Sequence, residues 1–454
     1  MSETAAASRP TREEAARVTL PGGDPYWLRA LREAALAAYR EVPWPSSSRD
    51  EDWRRTPQID RLDPSTFDAD SAEPSGQLPD YLAAAAAGPL SQGEVQQVVV
   101  SDQRGNLRPA EWEGGGNGAE PARSLAEGLA ANSAVWQQVA GKIAPPGLRK
   151  WISLNTIRTR GGACVQVARG QQPSGHVRLL HGVSHGCASF PRTLVRLEEG
   201  SRLVLVEEWL SPDADPALLV PVTEVELGRG AQLTHVLLQR CGSETVLQST
   251  VRVHQGQESR YHGCWAMLGG AWQKSYVETL IQGEAAEARL VGLDIGRGRQ
   301  HCDLQTLQDH VARGALSDLL HRVAVADRAR SIYAGLIRVE EGAQKTNAYL
   351  QNRNLLLSPQ AKADSNPTLE ILANDVRCTH GSTAGRIDDN QLFYCESRGM
   401  ERGQARRLIT EGFFADVVDA FPEGPVREYT RQLVLDSLGQ LALSAQAAES
   451  SRSS

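Results

Sequence analysis

Between residues 151 and 388 the chain runs in short stretches of alternating apolar and polar residues, each leading into a glycine. Val195-Arg196-Leu197-Glu198-Glu199-Gly200, Val225-Glu226-Leu227-Gly228-Arg229-Gly230, Val251-Arg252-Val253-His254-Gln255-Gly256 and Ile337-Arg338-Val339-Glu340-Glu341-Gly342 are four of them. A period of two is the pattern of a strand with one buried face. The turn glycines at 200, 230, 256, 283, 314 and 342 recur at intervals of 26–31 residues. A repeat of this length filled by strands predicts a β-solenoid. One coil alone cannot bury its inward Val, Leu and Ile, whereas stacked coils share a core and satisfy one another's backbone. A long β-sandwich is the alternative that the same alternation allows. A helical solenoid needs a period near 3.6, which this region lacks.

The flanks follow a different pattern. Residues 1–150 read as a helical, loop-rich domain. Asp24 as N-cap with Pro25 at the first helical position predicts a helix carrying Trp27, Leu28, Leu31, Ala34, Ala35 and Ala38, stopped at Pro43 and Pro45. Residues 46–56 predict a docked loop, 81–87 and 124–143 helices, 95–100 a strand between them, and 69–80 and 113–123 loops. Residues 389–447 form a helical domain. Asp388 or Asp389 caps a short helix ended by Gly399, a second covers 401–420 with Leu408, Ile409, Phe413, Val417 and Val418 on one side, and a third covers 426–444. Residues 448–454 are expected to be a disordered tail.

Composition narrows the function classes. Forty-one glycines against six Phe and three Met suit many turns joining short strands. A net charge of −7 argues against a nucleic-acid binder, whose affinity needs a basic footprint. The seven cysteines, scattered and without a CxxC pair, make neither a disulfide framework nor a zinc ribbon. The N-terminus lacks a signal-peptide apolar stretch, and no run reaches the ~20 residues of a membrane span, so a protein of the reducing cytoplasm is expected.

The chemistry concentrates in Arg377-Cys378-Thr379-His380-Gly381. On a strand, Cys378 and His380 project to one face, so a thiolate and an imidazole can reach one metal. Asp375 and Asp388 are near in sequence. Two donors do not close a metal site, which normally takes four, so a partner chain, a bound thiol or water must complete it. Without a metal, Cys378 is a small buried hydrophobe. His301-Cys302 is a weaker second candidate, and His181, His185 and Cys187 form a third cluster that a turn beside the solenoid wall explains equally well.

Gly342-Ala343-Gln344-Lys345-Thr346-Asn347-Ala348, then Gln351-Asn352-Arg353-Asn354-Leu355-Leu356-Leu357-Ser358, then residues 361–399 (AKADSNPTLEILANDVRCTHGSTAGRIDDNQLFYCESRG), resemble the SufB/SufD family of iron–sulfur cluster assembly. Glu51-Asp52-Trp53-Arg54 and Ile152-Ser153-Leu154-Asn155-Thr156 are weaker echoes. The Cys-x-His-Gly form is similar to the SufD branch. The resemblance implies a mainly β fold, a central right-handed parallel β-helix (151–388) flanked by α-helical N- and C-terminal domains. It implies a non-enzymatic scaffold that pairs through its β-helix with a SufB-like paralogue and holds a SufC-like ATPase on its C-terminal helices, with a homodimer in isolation. It also assigns His380 and Cys378 to a nascent iron–sulfur cluster at the interface with the SufB-like chain, where Cys378 ligates iron, handles sulfur or packs. The chain itself lacks a G-x-x-x-x-G-K-[ST] phosphate loop.

Two departures limit the transfer. Asp309-His310-Val311-Ala312-Arg313-Gly314-Ala315 stands where family members often read D-H-x-A-P-H-T, and Cys395 resembles the SufB form of its position, read here as packing. Two rival readings remain: a β-helix enzyme acting on polysaccharide, and a purely architectural subunit without a ligand of its own.

Overall fold

The computed structural model describes residues 24–67, 78–91, 95–107, 121–213 and 216–450. Its core is a β-solenoid of about eight turns in which strands alternate between two long sheets. The first sheet ends with strands Glu287–Gly296, Leu316–Val325, Asn347–Leu356 and Arg377–Gly385. The second ends with Trp272–Ile281, His301–His310, Arg330–Val339 and Lys362–Ile371. Pairing is parallel from coil to coil, which a β-sandwich of hairpins would not give. Leu205, Leu233, Leu290, Leu319, Leu350, Val225, Val253 and Ile337 fill the interior.

The repeat is carried by a backbone conformation more than by glycine. Gly170, Gly200, Gly230, Glu258, Ala285, Gly314 and Lys345 all have φ between 55° and 71°. Each donates its N–H to a carbonyl of the next coil, on Glu199, Arg229, Gln257, Glu284, Arg313, Gln344 and Asp375 respectively. Coil-to-coil hydrogen bonding thus holds three non-glycine residues in the left-handed region, at about 1 kcal/mol or more each. Gly256 and Gly283 mark the same corner for another reason: a Cβ on Gly283 would lie 2.0 Å from the Gln257 nitrogen.

The boundary expected at Trp151 differs. Lys150–Arg158 is a helix, and the second sheet's first parallel strand is Gly162–Val167. Residues 150–157 of that helix are all buried, so no polar stripe betrayed its period. Conversely Val95–Asp102, from the N-terminal region, pairs in parallel with His176–Gly182 and extends the first sheet.

Helix Tyr26–Glu41 has Pro25 at its N-cap, and Asp24 instead pairs with Arg32 at 2.8 Å. The helix expected over 124–143 is split into Leu125–Ala131 and Ser133–Val139, with Asn132 between them at φ −143°. The docked loop is present. Trp53 packs against Trp272 at 6.5 Å, and Lys274 donates to the Asp52 carbonyl (2.6 Å) and to Asp303 (2.7 Å).

At the C-terminus Asp388 caps Asp389–Ser397, followed by Arg402–Asp419 and Pro425–Ser450. The middle helix buries Val417 and Val418 and packs Phe413 on the sheet as expected, and adds Ala405 and Phe414, whereas Leu408 is 51% exposed and does not belong to the inward face. Phe414, Phe421, Tyr429 and Val434 cover Val206, Val236, Cys264 and Val291 on the outside of the first sheet. The last helix runs three residues into the expected tail, and 451–454 lie outside the described residues. Among the described residues no helix is long and apolar enough to cross a membrane.

Candidate functional site

Strand Arg377–Gly385 ends the first sheet and Lys362–Ile371 the second, so the last coil has a neighbour on one side only among the described residues. In register, Cys378 stands over Ala348, His380 over Leu350, and Ser382 over Asn352. Ala348, Leu350 and Asn352 face the interior and are buried. Cys378 and His380 therefore project toward the mouth of the solenoid, and Cys378 packs against the interior cluster. Every preceding coil is covered by the next one, whereas among the described residues no further strand covers this one. That is why Cys378 is half-buried and His380 exposed although their face belongs to the core.

The two donors anticipated on one face thus share it. Burial raises the Cys378 thiol above its usual range, a backbone hydrogen bond to Ala348 only partly opposing it. Metal capture by this thiol must displace a proton. Asp375 and Asp388 do not join them: Asp375 is paired with Lys345, and Asp388 accepts from the Asn390 amide as helix cap. Among the described residues no three His, Cys, Asp or Glu side chains form a group able to hold a metal.

The other candidates are occupied elsewhere. His301 is buried, bonds the Thr56 hydroxyl at 3.1 Å and is pushed down to about 4 chiefly by burial, while Cys302 is a buried thiol whose pKa burial raises. His181 bonds Ser101 (2.7 Å) and Thr193 (3.1 Å) inside the solenoid, while His185 is exposed at the turn, so no zinc cluster assembles there. His310 bonds Ser317 at 2.8 Å and is lowered to about 4 by burial. Cys395 lines a groove with Arg386, Tyr394 and Phe413 between the last coil and the C-terminal helices.

Two polar groups inside the solenoid escaped sequence reasoning. Glu207, fully buried, accepts from Trp209 and Thr223 and meets His235 at 3.1 Å and His181 at 3.4 Å. Burial pushes its carboxyl up, but the hydrogen bonds and charges of His181 and His235 outweigh this and hold it well below the usual carboxylate range. Asn352 and Asn354 are also buried and face inward beneath the last strand. Their alternation in Gln351-Asn352-Arg353-Asn354 was visible, but not their inward direction.

Residues 180–413 match the family described as SUF system FeS cluster assembly, SufBD core domain, just over half of the 454 residues. The chain belongs to the SufB/SufD family. A SufBD family iron–sulfur cluster assembly protein of Synechocystis is 31% identical over 253 residues, 54% of this chain and 56% of that protein. The iron–sulfur cluster assembly protein SufD of Escherichia coli is 30% identical over 284 residues, 61% and 66% of the two chains. SufD of Bacillus subtilis is 29% identical over 288 residues, 63% and 65%. The match spans less than two thirds of each relative's own length. The family's matched segment includes the mouth with Cys378 and His380 and ends inside helix Arg402–Asp419.

Proposed function

We propose that this chain is the SufD-type scaffold of an iron–sulfur cluster assembly complex, and that its cargo is built across the open mouth of the solenoid. The observation that carries the reading is that Cys378 and His380 share an inward face that, among the described residues, no further coil covers and no complete donor set accompanies. A thiolate and a neutral imidazole suit iron, and the imidazole is the more exchangeable of the two. A SufB-like chain, docked on the last coil, supplies the missing ligands and shields the site. Unpaired sheet edges favour such docking, and also a homodimer when the partner is absent. The chain catalyses no turnover of its own in this reading, and it works in a reducing cytoplasm, in keeping with its seven free thiols.

A SufC-like ATPase on the C-terminal helices supplies the motion. Phe393 (70% exposed) and Tyr394 (61%) offer it an apolar surface on helix Asp389–Ser397. The next two helices are tied to the first sheet by Arg322–Asp416 and Arg240–Tyr429, both at 2.5 Å, so displacement of the helices reaches the strands. The test is His380→Ala in the reconstituted complex. Cluster formation should fall at least about tenfold, with Cys378→Ala falling less and the fold of both variants unchanged. Full cluster yield from His380→Ala would reject the shared-site reading and leave a purely architectural subunit.

A further inference from the structure

A chain of buried amides runs from the interior to the last strand. Asn354 Nδ2 donates to the Thr383 carbonyl at 3.1 Å and to Asn352 Oδ1 at 2.6 Å. Asn352 Nδ2 meets His321 Nδ1 at 3.0 Å, and His321 Nε2 lies 3.4 Å from Asp294 Oδ1. All four side chains are at least 96% buried. The directions are determined by chemistry. An amide NH2 only donates, so Asn354 orients Asn352, Asn352 requires a lone pair on His321 Nδ1, and the His321 proton sits on Nε2 toward Asp294. His321 is held between Trp265 (ring centroids 5.9 Å apart) and Tyr333 (5.1 Å), and the Tyr333 hydroxyl is engaged by Thr306 at 2.8 Å.

A solenoid interior does not need these groups. The adjacent inward column carries Leu290, Leu319 and Leu350, and apolar side chains would avoid the desolvation of Asp294 and His321, whose facing atoms lack a well-formed hydrogen bond. We infer that Asn352 and Asn354, rooted on the His321–Asp294 pair, are positioning residues for the mouth: through the Thr383 carbonyl they set how strand Arg377–Gly385 presents Cys378 and His380. The last strand is where such a grip matters, since among the described residues it has one neighbour in its sheet and would otherwise open locally at low free energy. The functional part of this inference rests on the shared cluster site proposed above; the mechanical part does not.

The test uses the full chain carrying Asn354→Leu, which keeps the volume and removes the donors. Amide exchange across residues 377–385 should rise about tenfold while exchange in Trp272–Ile281 stays unchanged. The His321 ring, observed by 15N NMR, should change from a pure Nε2–H tautomer to a mixture, a signature that loss of packing alone would not produce. In the reconstituted complex cluster yield should fall several-fold, whereas His380→Ala lowers yield with exchange unchanged. Unchanged exchange in Asn354→Leu overturns the positioning inference even if His380→Ala abolishes cluster formation. Full yield from His380→Ala with the exchange effect present rejects the cluster site and keeps the grip. Should Asn354→Leu fail to fold, the wild-type spectrum decides: a proton on His321 Nδ1 overturns the chain as oriented.

Discussion

The two ends of the solenoid interior handle polarity in opposite ways. In the early coils Glu207 is buried together with Thr193, Thr223, Trp209, His181 and His235, and both of its oxygens are engaged. In the last coils Asp294 and His321 face each other at 3.4 Å, and, two coils beyond His321, Cys378 and His380 open to solvent. A closed network serves stability, because each buried atom has its partner. An open one leaves donors for something outside the chain. In the proposed reading, the difference separates the part of the solenoid that stands alone from the part that docks a partner.

The sharpest way to break this comparison is Glu207→Ala. Removing the carboxylate strands two buried histidines, and stability should drop by about 3–5 kcal/mol in denaturant unfolding. A loss below about 1 kcal/mol would mean the early nest is no more structural than the mouth. The pH dependence has a defined sign. Glu207 is lowered on folding, so its contribution is complete above the unfolded value of about 4.3 and is lost as pH falls toward the lower folded value. Glu207→Gln should flatten that acid limb.

Thiol chemistry sharpens the contrast more gently. Native-state alkylation should reach Cys378 and Cys395 at least about a hundredfold faster than Cys164, Cys241, Cys264 and Cys302, which are buried and whose thiols burial raises, Cys241 to about 12. Cys378 should still lag an exposed thiol and quicken with pH beyond the ordinary thiol value, because burial raises it too. A SufB-like partner should protect Cys378 and spare Cys395; protection of neither would count against docking at the mouth. The smallest effect belongs to Arg338→Ala, which removes an exposed pair with Glu370 on the outer wall and should cost less than about 1 kcal/mol.

The alternation and the near-30-residue repeat made the stacked β architecture legible, and Asp388 was a readable helix cap. Helix Lys150–Arg158 was not, because the burial of residues 150–157 hides the polar stripe on which such a reading depends. Val95–Asp102 was legible as a strand but not as a rung, since its partner His176–Gly182 lies some eighty residues away. Leu408 was read on the wrong helical face and Phe414 was missed, whereas Phe413, Val417 and Val418 do pack on the sheet: several apolar residues compete for that face and only the sheet beneath selects among them.

Cys378 and His380 were adjacent on one face as soon as the segment was read as a strand, because a period of two is a local property of the chain. That among the described residues no coil covers them, that Asp375 and Asp388 are engaged elsewhere, and that Asn354 grips the Thr383 carbonyl were decided by tertiary structure. The physical reason is range. Strand alternation is written between neighbouring residues, whereas burial at the mouth depends on contacts between coils about thirty residues apart.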